Sequence, residues 1–198
     1  MFKAEFWILV CICCTFYNCI YPFMSLSTKM FNDLWHFDSW TASVCSGIVY
    51  DVALVVSIPI GSLVDKVGYR LAFMIGACLN AVLCNLLLYF LQPTDTSTNS
   101  AVPWVTMALL AFSYCIMHSA LWSSVPLVVN KLQLGSAMAV MTGLQMLSNS
   151  LMNLAIGPLS ITNDIILFVS MAIASACFSI VLWVVDSRRT KTINRSDG

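Results

Sequence analysis

Apolar and polar positions do not alternate finely along this chain; they separate into long blocks. Six apolar runs, at residues 6–24, 40–60, 71–91, 103–129, 134–159 and 165–185, are divided by short polar connections. A helix rises about 1.5 Å per residue, so about 20 apolar residues cross a hydrocarbon core about 30 Å thick. Each run therefore predicts one membrane-crossing helix, whose backbone groups are satisfied internally as lipid demands. The connections carry turn chemistry. SLSTKMFNDLWHFD lies between the first two runs, QPTDTSTNSAV between the third and fourth, and GPLSITND between the fifth and sixth. In the last of these, Asn163 or Asp164 is the expected cap of the sixth helix.

Composition turns this pattern into a class. Of 198 residues, 60% are hydrophobic and 9% charged, with a mean hydropathy of +0.87. That leaves too little polar surface to cover a globule in water. The expectation is an all-α membrane protein with six transmembrane helices. Net charge is zero, with no basic stripe or zinc-finger spacing, so nucleic acid is not an expected partner. The nine cysteines, at 11, 13, 14, 19, 45, 78, 84, 115 and 177, all lie inside apolar runs. They read as small packing residues rather than a disulfide framework or a metal site. No cofactor is implied. The first run has no small-residue cleavage site and is expected to be retained as a span.

Basic residues set the expected orientation. With the N-terminus cytoplasmic, the inner side holds Lys3, Lys66, Arg70, Lys131, Arg188, Arg189, Lys191 and Arg195, and the outer side only Lys29. This bias places both termini in the cytoplasm. The sequon at Asn194 would then lie in a cytosolic, unmodified tail. Residues 1–186 form the expected bundle, and 187–198 a polar, disordered end.

One connection is unusually rich in chemistry. GSLVDKVGYR, residues 61–70, places two glycines beside Asp65, Lys66 and Arg70 in a chain poor in charge. Gly61 is expected to let the second helix end against a close neighbour, and Gly68 to supply the positive φ of a tight reversal. Asp65 accepts hydrogen bonds only and suits a helix N-terminus. Lys66 and Arg70 hold the loop in the cytoplasm and can pair with acids or lipid phosphates. A plain positive-inside turn explains the cations but not the aspartate framed by glycines.

Gly61-x-Leu63-x-Asp65-Lys66-x-Gly68-x-Arg70 resembles the signature loop of the major facilitator superfamily, which joins the second and third helices of each six-helix half. The resemblance implies that Asp65 braces a helix of the opposite half in one alternating-access state. Tyr21-Pro22-Phe23, Ala120-Leu121-Trp122 with Val125, and Gln133-Leu134-Gly135-Ser136-Ala137 are similar to the C-terminal half of lysosomal dipeptide transporters of that superfamily. Nearly the whole chain is covered, and it would correspond to helices 7–12 of a twelve-span carrier. The pattern departs at Ser123, Met138, Thr142 and Met146, where proline, tyrosine, glutamine and asparagine are expected. The last two fall on a cavity-lining helix and put dipeptide specificity in doubt. The resemblance further implies lysosomal residence, facilitated transport and a glycosylated single-pass accessory subunit. It also implies an N-terminal six-helix half, or a homodimer partner, against which Asp65 would act. If Asp65 stays within this chain, Lys131 or the start of the fifth helix is its expected partner, or else water.

Polar residues within the spans are the candidate cavity. Asp51 lies near the middle of the second run beside Tyr50, and His118 near the middle of the fourth. An ionisable group at bilayer depth costs about 2.5–3.5 kcal/mol on insertion scales and calls for a reason. Either these groups face a watery cavity, or Asp51 is protonated and bonded to a neighbouring helix while His118 packs as a neutral ring. Gln145, Asn149 and Asn153 recur every four residues and make one polar stripe along the fifth run. Such a stripe faces other helices or a cavity, and the glutamine matches one expected in the family. Trp122 and Tyr17 supply apolar walls or simple packing. Gly61-Ser62-Leu63 and Gly157-Pro158-Leu159 fall on opposite membrane faces, as an inverted three-helix repeat would place them.

No G-x-S-x-G elbow, H-E-x-x-H pair or P-loop is present, so an enzyme is not expected. An intramembrane enzyme would rest on Asp51 or His118 alone. The leading expectation is half of a secondary transporter for a small organic solute. The alternative is a half-size, non-transporting scaffold or regulator.

Overall fold

The computed structural model describes residues 2–93, 101–156, 160–189 and 193. Six α-helices account for most of them: α1 (Ala4–Trp35), α2 (Ser39–Val67), α3 (Arg70–Phe90), α4 (Ala101–Val128), α5 (Leu134–Ile156) and α6 (Ile161–Arg189), with a 3₁₀ turn at Lys131–Gln133. The protein is thus an all-helical membrane protein.

Five helices are long and apolar enough to cross a membrane; α5 is the exception among the described residues. Its run of Gln145, Ser148, Asn149, Ser150 and Asn153, which includes the polar stripe expected in the fifth span, lowers its apolarity.

The helices also outrun the apolar runs, because a helix leaving the membrane keeps its internal hydrogen bonds. Most of the connection expected at 25–38 is the last third of α1. Ser25 and Ser27 donate to the carbonyls of Pro22 and Met24, each at 2.8 Å, so their hydroxyls are absorbed by the helix itself. Met30, Phe31 and Trp35 then bury an apolar stripe. The actual reversal is brief: His36 adopts φ 54°, and Asp38 caps α2 by accepting from the Thr41 N–H at 3.3 Å.

A second correction concerns Gly61. The helix does not end there but runs on to Val67, and a Cβ at Gly61 would meet Ser119 Oγ at an ordinary 3.8 Å. The end of α2 is made by Gly68, at φ 74°, whose N–H bonds the Val64 carbonyl at 3.0 Å. A third correction concerns α6, which begins at Ile161. Asn163 and Asp164 therefore sit in its first turn rather than capping it, where the helix dipole still favours an acid.

Packing follows a two-fold rule. Helix α1 packs on α5 and α6, α4 packs on α2 and α3, and α3 packs on α6. Exchanging α1–α3 for α4–α6 maps this pattern onto itself. Short connections at 36–38 and 68–69 make successive helices antiparallel, and Leu87 and Leu91 share a groove with Ala101 and Val102. Hence α1 and α4 run in opposite directions, as an inverted three-helix repeat requires. The motif segment Gly157-Pro158-Leu159 itself lies outside the described residues.

Small residues let the central helices approach. Ala77, Cys78, Ala81 and Cys84 line one face of α3, fully or almost fully buried. Cys78 Sγ lies 3.2 Å from Ser175 Oγ of α6, and Asn80 Nδ2 donates to Ser113 Oγ of α4 at 2.7 Å. Close approach and shared hydrogen bonds replace the hydrophobic drive that lipid removes. All nine cysteines are unlinked. At the C-terminal end, α6 passes residue 186, and the Ile193 N–H donates to Asp186 Oδ1 at 3.3 Å. The rest of the segment expected to be a loose tail lies outside the described residues.

Candidate functional site between the two central helices

The face shared by α1 and α4 is built from two simple spacings. Tyr17 and Tyr21, four apart, lie on one side of α1; Tyr114, His118 and Trp122, also four apart, lie on one side of α4. Four residues span about one helical turn, so each set forms a vertical row. Where the rows meet, Tyr17 and Tyr21 stack with ring centroids 5.3 Å apart, and Tyr114 stacks on His118 at 5.7 Å. Trp122 lies on the other side of His118, with centroids 6.0 Å apart.

Polar atoms tie the rows together. Trp122 Nε1 donates to the Tyr17 hydroxyl at 3.0 Å, and that hydroxyl lies 2.9 Å from His118 Nδ1. Indole N–H is only a donor, so Tyr17 must accept from it. Tyr17 is 1% exposed, and its remaining described polar neighbour is His118. A buried hydroxyl without an acceptor costs about 1–3 kcal/mol, so Tyr17 donates its proton to Nδ1. The imidazole is thereby set as the tautomer with its proton on Nε2. His118 is itself exposed, and Nε2 meets no described partner.

Asp51 is also exposed, on α2, and bonds to no described residue. The expectation that it bonds a neighbouring helix therefore has no counterpart. Beyond Val49, α2 buries nothing until Val64, so its middle is open on the side away from α4.

The carboxamide stripe on α5 is mostly a seam with α1. Gln145 and Asn149 are buried, and Asn153 is exposed. Cys13 Sγ lies 3.8 Å from Gln145 Oε1, Asn18 Nδ2 donates to Ser148 Oγ at 2.6 Å, and Ser25 Oγ, whose proton goes to the Pro22 carbonyl, lies 3.3 Å from Asn153 Oδ1. Asn149 Oδ1 is buried without a described partner. Asn18, Ser25, Ser148 and Tyr114 escape a reading of the sequence by charge, because none is ionised at bilayer depth. The four-residue spacing of Tyr114, His118 and Trp122 is the signal that would have found Tyr114.

At the other end of α2, Arg70 Nη2 lies 3.2 Å from Asp65 Oδ1. The arginine side chain is 9% exposed and the aspartate 62%. The two ends of the motif thus brace each other across Gly68. Neither Lys131 nor α5 is the described partner. Arg70 Nε and Nη1 have no described partner, while Asp65 offers its other oxygen to the surroundings. An open groove of about 360 Å³ lies beside the motif, lined by Val67, Tyr69, Phe73, Gly76 and Ile116 among others. It is apolar and holds none of the candidate cavity residues, so nothing in it would orient a hydrophilic solute.

No protein-family model matches the chain. Individual relatives do. It is 32% identical to the lysosomal dipeptide transporter MFSD1 of Gallus gallus over 93% of this chain and 39% of that protein. It is 29% identical to the Danio rerio transporter of the same name over 93% of this chain and 38% of that protein. The Bos taurus transporter is 28% identical over 98% and 41%. The chain spans about two-fifths of the length of these relatives. These matches, the apolar helices and GSLVDKVGYR together make the chain a homologue of the lysosomal dipeptide transporters of the major facilitator superfamily.

Proposed function

We propose that the chain is a six-helix half, equivalent to helices 7–12, of a carrier that moves a small dipeptide-like solute by alternating access. The single observation that carries this reading is the match to dipeptide transporters over nearly the whole chain. The polar and aromatic groups on the α1–α4 face suit one wall of a solute path. His118 is exposed on that face, where lipid would be a poor neighbour. Of the candidate cavity residues Asp51, His118, Trp122, Gln145, Asn149 and Asn153, the exposed Asp51, His118 and Asn153 are those open to a solute, while the buried Gln145 and Asn149 stand behind them in the α1–α5 seam. The signature loop is Gly61, Leu63, Asp65, Lys66, Gly68 and Arg70.

The opposite wall comes from an N-terminal six-helix half or a second copy of the chain. Residues 1–186 form the membrane bundle and 187–198 the cytosolic end. The distribution of lysine and arginine supports two cytoplasmic termini, and the relatives support a lysosomal membrane. A glycosylated single-pass accessory subunit belongs to the same reading. In it, the Asp65–Arg70 pair is the resting arrangement, and the exposed aspartate is available to a helix of the opposing half.

Uptake of radiolabelled dialanine into proteoliposomes tests the reading. The chain is reconstituted alone and with a candidate N-terminal half. Saturable uptake in either case supports it; none in both cases overturns it.

A further inference from the structure

We infer that His118 is the hydrogen-bond donor that holds an acceptor oxygen of the transported solute, with Tyr17 and Trp122 as its positioning residues. The inference rests on the carrier reading above and goes beyond it by assigning the chemistry of one contact. It begins from a proton count. Trp122 can only donate, so the Tyr17 oxygen accepts its N–H at 3.0 Å. Tyr17 has one proton of its own, is 1% exposed, and has His118 Nδ1 at 2.9 Å. Donating that proton makes Nδ1 an acceptor and leaves the ring proton on Nε2.

That arrangement has a direction. Nδ1 is used on the core side, against α1, while the ring is exposed on the face away from it. Nε2–H is therefore the group the open face offers, and it offers only a donor. Tyr114 and Trp122 flank the ring with centroids 5.7 and 6.0 Å away, limiting its rotation about χ2. A ring held at one nitrogen and flanked on both sides presents the other nitrogen in a fixed direction, which lowers the cost of ordering it on binding. The ligand chemistry this fits is an oxygen acceptor without a proton to give: a terminal carboxylate or an amide carbonyl. A dipeptide carries both.

Titratable groups near this face are few. Tyr21 lies 3.4 Å from Tyr114, oxygen to oxygen, and Tyr50 and Asp51 lie on the neighbouring α2. None of the hydrogen bonds described takes the Nε2 proton, so it remains available.

Two measurements on the full chain in lipid test this. The first is solid-state ¹⁵N spectroscopy of the imidazoles. The wild type is expected to show the Nε2–H tautomer at His118, and Y17F a mixture of tautomers. An Nδ1–H ring in the wild type overturns the inference even if every variant folds. The second is dialanine uptake under the conditions that give transport. His118→Phe keeps an aromatic ring but no donor, and is expected to raise KM roughly tenfold to a hundredfold. His118→Gln keeps an N–H and is expected to lose less. Competition by dialanine and by its C-terminal amide identifies the oxygen: a much weaker amide means the carboxylate, equal competition means the carbonyl. Wild-type transport with an unchanged KM in His118→Phe overturns this inference alone. No wild-type transport overturns the carrier reading and this inference with it.

Discussion

The hydroxyl of Tyr17 and Nδ1 of His118, 101 residues apart in sequence, lie 2.9 Å apart and join α1 to α4. Trp122 completes the junction by donating to the same hydroxyl at 3.0 Å. The three groups form one proton-ordered chain, indole to phenol to imidazole. Removing its middle member should cost more than removing an end. Tyr17→Phe leaves both Nδ1 and the indole N–H without partners, whereas Trp122→Phe leaves the Tyr17–His118 bond intact. Interhelical hydrogen bonds in membranes contribute about 0.6 kcal/mol on average and about 1–2 kcal/mol at most. Unfolding by denaturing detergent should therefore show Trp122→Phe down by about 0.5–1 kcal/mol and Tyr17→Phe down by more. Equal losses would show that the Tyr17–His118 bond adds nothing to stability.

Gly68 closes α2 at φ 74°, a conformation that other residues pay about 1–2 kcal/mol to adopt. Gly68→Ala should lower stability by about that amount, and Gly68→Asn by less, since asparagine tolerates the left-handed region. Gly61→Ala, inside the helix with only Ser119 Oγ at 3.8 Å, should be neutral or mildly stabilising. Melting of the two variants side by side separates the glycines. A large loss at Gly61 would contradict the helical geometry described above.

The Asp65–Arg70 pair spans unequal environments, with one partner 62% exposed and the other 9%. Solvent weakens the attraction, so the pairwise coupling in a cycle of Asp65→Asn and Arg70→Gln should be about 0.2–1 kcal/mol. Arg70→Gln should cost more than Asp65→Asn, because arginine is the buried member and its stem packs within the core. A coupling near zero would mean that the aspartate's role lies outside this chain's own fold.

Asn18 and Asn149 are both buried carboxamides near the α1–α5 seam, but their bonding differs. Each has a buried oxygen with no described partner, but Asn18 also donates to Ser148 at 2.6 Å. Replacing an unsatisfied polar group by an apolar one of similar shape is near neutral or favourable. Asn149→Leu should thus hold or raise stability, and Asn18→Leu should lower it by about 1 kcal/mol. If transport falls in Asn149→Leu while stability does not, the free oxygen serves the solute path.

The cap of α2 gives a pH prediction. The Thr41 hydroxyl, and then its backbone N–H, bond Asp38 and hold its carboxyl below the usual 3.8. A depressed folded value means the cap's stabilisation is fully present above the unfolded value and is lost as pH falls through the folded one. Amide exchange at Thr41 and Ala42 should therefore be constant from neutral pH to about 5 and accelerate below about 4, once the intrinsic pH dependence is divided out. Thr41→Val should move that onset to higher pH. No shift in Thr41→Val would remove the hydroxyl as the cause.

Much of the scaffold was legible in advance because lipid imposes a simple rule. Runs of about 20 apolar residues located the helices, and Gly68 located the turn between α2 and α3. Boundaries were less legible. Ser25, Ser27 and Asn32 suggest a loop by residue type, yet Ser25 and Ser27 satisfy their hydroxyls on carbonyls three residues back and leave the helix unbroken. Gly61 likewise looks like a stop, but nothing there needs a positive φ. In the candidate site, His118 and Asp51 stood out by charge alone. Tyr114 and Asn18 did not, since an uncharged polar residue costs little until its neighbours are known.

By itself the sequence determined that this is a helical membrane protein, where its chain reverses near Gly68, and which residues share one side of each helix. Those follow from local periodicity and from the cost of placing backbone and charge in lipid. Only the tertiary structure decided which faces meet. It placed the Tyr17 row against the His118 row, gave Gln145 to Cys13 of α1, and left Asp51 open. Periodicity fixes the side of a helix but not its partner. The partner depends on how closely small residues such as Ala77, Cys78 and Ala81 let all the helices pack at once.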